Sequence, residues 1–199
     1  MASCTGQYMK HLPRLSPDVR GFMLFLGNLR HLTRSVLARL TNVQLRKINL
    51  RRCKIYLVQP EAFADFAHLE VLDLSGNPVP MPELRACLTG ITSRSMHAVA
   101  LTNMGLAFLP DDFFAVFVNM TFTKVDLQKN HLEAFNTAVF APFRFIERLF
   151  LSENRIQEVN TSHEVSLEKL TLHGNLFREF PDFCRSQLFT KGKAEKSTT

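Results

Sequence analysis

The side chains that most often carry out catalysis or bind metals are scattered along this 199-residue chain. Its seven His include no HxxxH or HExxH spacing, and its four Cys include no CxxC pair. No Ser lies in a GxSxG turn, and the eight Gly form no phosphate-binding loop. Metal centres and nucleophilic sites need such groups at suitable spacing. The sequence therefore predicts no enzyme activity, no metal site and no cofactor.

Two other features have the chemistry of a binding site. The first is a short basic stretch that contains no acidic residue and carries Arg46, Lys47, Arg51 and Arg52, and Arg30, Arg34 and Arg39 precede it and are expected to extend it. The second is Phe150, an aromatic residue of the kind that anchors interfaces. The net charge of +6 and the pI of about 9.4 permit an anionic partner. A polyanion such as nucleic acid, or an anionic lipid head group, would suit the basic stretch. Base-specific reading is not implied, because no aromatic residue is interleaved with the arginines.

A repeated pattern positions these side chains. The stretch Leu69–Val79 has apolar residues at positions one, four, six and eleven and Asn at position nine. Five more stretches follow the same spacing, which is the signature of a leucine-rich repeat. One repeat cannot bury its own apolar face, so successive repeats must stack as coils of a solenoid. The six stretches are Leu45–Ile55, Leu69–Val79, Met96–Leu106, Phe122–Leu132, Ile146–Ile156 and Leu167–Phe177.

The spacing assigns a role to each position of the repeat. Positions four and six should face the core from a short strand, whereas positions two, three, five, seven and eight should line a concave binding face. The Asn at position nine should be buried and pair with backbone groups of its own coil and the next. Cys53 keeps a weak donor there, but Met104 cannot donate, so a local irregularity is expected at Met104. The predicted ladder consists of Asn77, Asn130, Asn154 and Asn175.

The second half of the repeat indicates a subclass. Phe63, Phe114 and Phe140 lie at position nineteen of their repeats, and such aromatics are expected to fill the convex side of the core. The three repeats that contain them match LxxLxLxxNxLxxLxxxxFxxL. This pattern resembles the typical subclass common in extracellular receptors such as Toll-like receptors, and the resemblance spans residues 45–184. It implies a membrane receptor that recognises microbial or damage-associated ligands in innate immunity, dimerises, and signals through a separate cytoplasmic domain.

The expected fold is an α/β solenoid: a leucine-rich repeat horseshoe with a parallel concave β-sheet and irregular or short helical convex segments. Residues 1–44 are expected to form a degenerate N-terminal coil with a helical segment. About six repeats should occupy residues 45–184, and residues 185–199 should form a disordered basic tail. Three prolines, Pro78, Pro80 and Pro82, are expected to exclude a regular helix from the second repeat.

The compartment is open between two alternatives. The chain contains no apolar run long enough to span a membrane and no recognisable signal peptide, and it lacks the cysteine-clustered caps of extracellular repeat arrays. One alternative is a fragment of a receptor on the extracellular or endosomal-lumen side, with a protein or anionic ligand on its concave face. The other is a cytoplasmic repeat scaffold that binds proteins. Two sequons, at Asn119 and Asn160, lie outside the strand stretches, where a glycan would leave the concave face free.

Overall fold

The computed structural model describes residues 1–6 and 11–178 and the backbone of residues 193–194. The predicted tail, residues 185–199, lies outside the described residues except for those two, as do the last residues predicted for the repeats. The chain divides into two compact units, Met1–Met104 and Gly105–Thr199. The domain boundaries at residues 44 and 184 stay predictions.

Unit 1 is built mainly from short strands. Its strands are β1 (Ala2–Thr5), β2 (Gly21–Phe25), β3 (His31–Leu32), β4 (Lys47–Asn49), β5 (Leu57–Val58), β6 (Val71–Asp73) and β7 (Ala98–Ala100). Its helices are α1 (Arg34–Leu37), a 3-10 turn at Ala38–Leu40, and α2 (Met81–Thr89).

Five of these strands form a parallel sheet in the order β1-β2-β4-β6-β7, and β3 pairs with β5 in a separate small parallel sheet. The register places Phe22, Ile48, Leu72 and Val99 side by side, and all four are buried. Each is the position-four residue of its coil. Every coil therefore places the same apolar position in the same layer of the core, as a stacked solenoid requires.

Unit 2 follows the same plan. Its strands are β8 (Thr121–Phe122), β9 (Lys124–Asp126), β10 (Ala134–Asn136), β11 (Phe145–Phe150), β12 (Glu158–Asn160), β13 (Leu167–Thr171) and β14 (Lys193–Ala194). Its 3-10 helices are Ala115–Phe117 and Thr137–Phe140. Parallel pairing joins β9 to β11, β11 to β13 and β13 to β14, β8 also pairs with β11, and β10 pairs with β12. The predicted fold class, an α/β solenoid of leucine-rich repeats, is confirmed.

The sequence predicted only a degenerate coil in residues 1–44, but a regular repeat register is present there. Strand β2 pairs in parallel with β4, and its Phe22 and Leu24 are fully buried. Counting from Val19 places these two residues at positions four and six and Leu29 at position eleven. The spacing was present in the sequence, but Gly27 stands where Asn is expected and obscures it. A Cβ at Gly27 would lie 2.8 Å from Leu24 Cδ2, so only Gly fits there without movement of neighbours.

The Asn ladder has the predicted chemistry, with one difference in direction. Asn77, which is 1% exposed, accepts hydrogen bonds at Oδ1 from the Cys53 and Ile55 N–H groups, at 2.8 and 3.1 Å. Its Nδ2 donates to the Leu50 and Leu74 carbonyls at 2.8 and 2.7 Å. The partners thus belong to its own coil and to the preceding coil, whereas the sequence prediction named the next one.

The other three Asn residues repeat the pattern within unit 2. Asn130 and Asn154 accept from the backbone N–H groups of Leu106 and Leu132, and Asn175 accepts from that of Ile156. Each of the three also donates from Nδ2 to a carbonyl of its own coil. One side chain in each coil thereby pairs backbone groups that would otherwise be buried without partners, at a cost of about 1–3 kcal/mol each.

The backbone adopts the left-handed region at position eight of seven successive coils. The residues there are Leu26, Arg52, Gly76, Asn103, Lys129, Glu153 and Gly174, with φ between 52° and 71°. Only two of them are glycine, although the conformation costs other residues about 1–2 kcal/mol. Coil stacking therefore outweighs local preference at this turn.

The irregularity expected at Met104 is present. In the four coils with Asn at position nine, position eight alone adopts positive φ around the turn. Gly105, directly after Met104, also has a positive φ of 77°, and Lys54, directly after Cys53, has one of 55°. Cys53 retains part of the Asn chemistry, because its Sγ donates to the Leu24 carbonyl of the preceding coil at 3.3 Å. A second left-handed residue thus follows position nine in the two coils that carry Cys or Met there.

The prediction that prolines exclude a helix from the second repeat is wrong. Helix α2 runs over nine residues, Met81–Thr89, with Pro80 as its N-cap residue and Pro82 in its first turn. A first-turn proline costs no intrahelical hydrogen bond, because the first N–H groups of a helix have no acceptor within it. Leu84, Cys87 and Leu88 are the buried face of this helix. Cys87 takes the place that Phe occupies in other coils.

The aromatic line forms core as predicted. Phe63 is fully buried in unit 1. In unit 2 the ring of Phe114 lies 5.8 Å from that of Phe140 and 5.2 Å from that of Phe143, measured between centroids. Phe140 also contacts Phe135 at 5.7 Å and is 2% exposed. These tilted and edge-to-face contacts occupy the side of each coil opposite the sheet strands.

Candidate ligand-binding face

Strand alternation in unit 1 leaves one face of the sheet open. Lys47 lies in register between Gly21 and Val71, and Asn49 lies beside Asp73. These are positions three and five, whose neighbours at position four are buried. The predicted basic residues therefore emerge on this open face, together with acidic groups of the adjoining strand. We call this surface the open face of unit 1.

Two of the four basic residues are paired with those acids. Arg46 Nη1 lies 2.9 Å from Glu70 Oε1, and Arg51 Nη1 lies 3.8 Å from Asp73 Oδ2. Asp73 is only 8% exposed and also accepts from Asn49 Nδ2 at 3.0 Å. Its charge is thus held in place by several donors, which fixes the end of β6.

The other two basic residues are differently placed. Lys47 and Arg52 are exposed, and within the described residues neither forms an ion pair. Arg52 is the left-handed residue of its coil, and its stem lies over Gly76, where an added Cβ would be 2.7 Å from Arg52 Cγ. The surplus positive charge of the open face therefore resides chiefly on Lys47 and Arg52.

The three arginines expected to extend this row lie instead in the returning half of their coil. Arg34 is in α1 and its Nε donates to Asp65 Oδ2 at 2.7 Å. Arg39 follows α1, and its Nη1 reaches the Leu12 carbonyl at 3.5 Å. Arg30 lies between β2 and β3. None of these three residues belongs to a strand of the five-stranded sheet.

Phe150 lies on the open face of the sheet in unit 2, where it is half-buried between Asp126 and Thr171. Lys124 Nζ is 5.3 Å from its ring centroid, and the same nitrogen is 2.9 Å from Asp126 Oδ2. Asp126 is 7% exposed. The predicted aromatic anchor is thus one side of a Lys–Asp–Phe arrangement in which the carboxylate and the ring both attract the ammonium group.

Two features of unit 2 were missed at the sequence level. The first is a basic column at position three. Arg148 lies in register with Lys169 on one side, and Lys124 has the equivalent position in the strand on the other side. Acidic residues accompany it, since Arg148 Nη2 is 3.1 Å from Glu147 Oε1. Lys129 at position eight likewise pairs with Glu153 at 3.4 Å. Arg148 and Lys129 are thus both paired with acids, whereas Lys47 and Arg52 at the same positions in unit 1 form no ion pair within the described residues.

The second is a hydroxyl–imidazole cluster. Ser152 Oγ lies 3.0 Å from Thr171 Oγ1 and 3.1 Å from His173 Nδ1. Ser152 has no exposed surface, so a substrate carbonyl has no access to its oxygen. The nearby carboxylate of Asp126 accepts from Gln128 and Lys124. The cluster is a part-buried hydrogen-bond network that ties the residues after β11 to the end of β13.

The sequon residues Asn119 and Asn160 are both exposed. Asn119 lies in a turn with φ of 60°, and its N–H donates to the Pro142 carbonyl. Asn160 ends β12, whose partner is β10 in the small sheet separate from the open face. A glycan on either side chain would leave the residues at positions two to eight uncovered. N-glycosylation of these two residues stays a prediction.

The cysteines of the described residues are free thiols. Burial raises the pKa of the Cys53 thiol to about 11, and it raises the pKa of Cys87 still further. Both are protonated and unreactive at neutral pH. Among residues 1–6 and 11–178, no group of three His, Cys, Asp or Glu side chains is placed to hold a metal ion. The described helices are all too short or too polar to cross a membrane.

Comparison with known proteins identifies the fold. No family model matches the sequence, and no curated protein matches it significantly. Among solved structures, 57 chains match. A chain of the Drosophila Toll–Spatzle complex is 19% identical with a TM-score of 0.58, covering 84% of this chain and 26% of its own length. Human 5T4, also named trophoblast glycoprotein, is 19% identical with a TM-score of 0.57, covering 87% of this chain and 76% of its own.

A further match is the leucine-rich repeat domain of APL1, at 14% identity and a TM-score of 0.50, covering 90% of this chain and 57% of the other. This chain spans about a quarter of the length of the matched chain in the Toll–Spatzle complex. At these identities the likeness concerns the fold. Together with the repeated sequence pattern and the Asn ladder, it shows that the chain has the leucine-rich repeat fold.

Proposed function

We propose that this chain is a non-enzymatic recognition module, part of a Toll-like receptor ectodomain that acts in innate immune pattern recognition. Its partner is a protein or an anionic ligand, bound at the open face of unit 1. The proposal places the chain on the extracellular or endosomal-lumen side of a membrane receptor. Dimerisation and signalling are assigned to the complete receptor.

Two observations support the receptor part of the proposal. Two of the matched structures are those of a Toll–Spatzle complex and of a trophoblast glycoprotein, and both match over more than four-fifths of this chain. The sequon residues Asn119 and Asn160 are exposed and lie away from the open face. A glycosylated solenoid needs this separation of glycan from binding surface.

The proposal of an anionic ligand rests on the surplus of positive charge on the open face of unit 1. Glu70 and Asp73 are already engaged by Arg46 and Arg51, which leaves Lys47 and Arg52 to attract an anion. Such a patch raises the local concentration of anionic partners and accelerates their association. It binds phosphate or carboxylate groups without reading bases, because the exposed basic side chains alternate with no stacking aromatic.

The experiment compares two double variants with matched positions and charges. Lys47→Glu with Arg52→Glu changes positions three and eight in unit 1, whereas Arg148→Glu with Lys129→Glu changes the same positions in unit 2. Each is titrated with a poly-glutamate peptide and with a thymidine oligonucleotide at about 50 and about 200 mM salt. We expect the unit 1 variant to weaken binding of both probes, and to reduce the salt slope for the oligonucleotide by roughly 0.7 for each phosphate group that the protein no longer neutralises. Equal losses of affinity in both variants, or no salt-sensitive binding by the unchanged protein, would refute the proposal.

One observation favours a second candidate, an intracellular scaffold that binds other proteins. Cys53 and Cys87 are buried and unpaired, as is usual for proteins of reducing compartments. Protein isolated from its natural source would distinguish the two candidate functions. Enzymatic release of N-glycans from Asn119 or Asn160 would support the receptor. Unmodified asparagines together with four titratable thiols after unfolding would support the scaffold.

A further inference from the structure

A pocket of about 390 Å³ lies beyond the end of β2 in unit 1 and is lined by Asn28, Leu29, Arg30, His31 and Tyr56. These are positions ten to thirteen of one coil and position twelve of the following coil. They come after the strand, so the pocket is separate from positions two to eight that form the open face. Its volume is within the range of small-molecule sites, about 300–1,000 Å³.

The backbone fixes Arg30 at this place. The residue has a positive φ of 54°, and its carbonyl accepts from both the Tyr56 and Leu57 N–H groups, at 2.9 and 3.3 Å. Its guanidinium Nε donates to Asn28 Oδ1 at 3.3 Å. That bond uses one of the five guanidinium N–H groups and leaves both terminal nitrogens available to a bidentate acceptor.

The charge of Arg30 lacks a protein counterion. The pocket lining contains no acidic residue, and none of the carboxylates that the structure describes forms an ion pair with Arg30. By contrast, the nearby residues Arg34, Arg46 and Arg51 each pair with an acid. A bound oxyanion would therefore supply the negative charge that Arg30 lacks.

Two other residues of the pocket lining provide aromatic rings and further polar groups. The Tyr56 hydroxyl and His31 Nε2 are 2.8 Å apart, and the two rings meet edge to face at 5.0 Å between centroids. Tyr56 remains 44% exposed, so part of its ring is available for contact. Aromatic rings pack well against sugar rings or other flat bodies, while the hydroxyl and imidazole bind their polar substituents.

We propose that this pocket binds a carboxylate or sulfate group carried on a sugar-sized ring, with the oxyanion on Arg30 and the ring against Tyr56. The ligand is thus an acidic monosaccharide unit. The site functions independently of the open face of unit 1, and it does not depend on the receptor assignment. Arg30 provides the charge recognition, Asn28 orients its guanidinium, and the His31–Tyr56 pair limits the width of the pocket.

Amide chemical shifts of the ¹⁵N-labelled full chain test the site directly. The probes are glucose 6-sulfate and glucuronate, with glucose as the neutral control. We expect both anions to move the amide signals of residues 28–31 and 54–57, and glucose to move none of them. The sulfate and carboxylate arms distinguish the two sources of oxyanion, and stronger binding by either one supports the proposal. Equal shifts with glucose would overturn it.

The variant Arg30→Gly removes the side chain and suits the left-handed backbone, so it retains the fold. Arg30→Gln provides a second test with a longer polar side chain. We expect each to weaken binding of the two anions by at least about tenfold, the effect of removing one charge-assisted hydrogen bond. The control Arg34→Gln removes a neighbouring charge outside the pocket and should leave binding unchanged. Full binding by Arg30→Gly, or an equal weakening in Arg34→Gln, would overturn the proposal.

Discussion

Replacing Asn77 by Ala removes four hydrogen bonds at once. The side chain is 1% exposed and joins the Cys53 and Ile55 N–H groups to the Leu50 and Leu74 carbonyls. Each unpaired buried backbone group costs about 1–3 kcal/mol, and water entering the vacated space re-pairs some of them. We therefore expect the free energy of unfolding to fall by about 3–4 kcal/mol.

The assay is urea unfolding followed by far-ultraviolet circular dichroism, together with hydrogen exchange at the affected amides. Because repeat arrays can unfold in stages, exchange at Cys53 and Ile55 provides the local measure. Both amides should exchange much faster in Asn77→Ala. Asn77→Cys is the matched control, since the natural Cys53 shows that a thiol can donate to the preceding coil. A decrease in stability below about 1 kcal/mol, with unchanged exchange at both amides, would refute the assigned role of the ladder.

Further predictions concern the core and the turns. Phe140→Ala should lower the free energy of unfolding by roughly 3–5 kcal/mol in urea titrations, through reduced burial and a cavity beside Phe114. Asn136→Ala should cost about 1 kcal/mol, because its Oδ1 caps a 3-10 helix by accepting from the Ala138 N–H, and a cost equal to that of Asn77→Ala would contradict this ranking. Gly90→Ala should destabilise the chain, as judged by thermal unfolding, because the added Cβ would lie 1.8 Å from the Pro60 carbonyl oxygen. Cys53 should react with a thiol reagent at neutral pH only after unfolding, since burial raises its pKa to about 11.

The sequence predicted features that depend on spacing within one coil. Buried positions four and six, the Asn ladder and the Phe core follow from periodicity, because a stacked solenoid gives equivalent positions equivalent surroundings. Only a degenerate coil was predicted before residue 45, because Gly27 replaces the most diagnostic residue of the repeat that begins at Val19. Helix α2 was missed because proline was judged by its effect within a helix, whereas Pro80 and Pro82 stand at its start.

The candidate site was predictable only in part, because its chemistry depends on neighbours that lie a full coil away. The sequence showed four basic residues, but the pairing of Arg46 with Glu70 and of Arg51 with Asp73 requires the lateral register of the strands. The pocket beside Arg30 depends likewise on Tyr56, which comes from the following coil. The repeat alignment places Arg46 and Glu70 at equivalent positions, but the spacing does not encode the side-chain conformations that bring charged groups into contact.

The left-handed turn at position eight has a consequence for engineering this surface. A combinatorial library that diversifies the sheet face would normally randomise all outward positions equally. At position eight the natural residues are Leu, Arg, Gly, Asn, Lys, Glu and Gly, and none of them is β-branched. Val, Ile and Thr fit poorly in this conformation, so library members carrying them would be less stable than the rest. A codon set that omits these three residues at Arg52, Lys129 and their equivalents would keep the diversity in folded molecules.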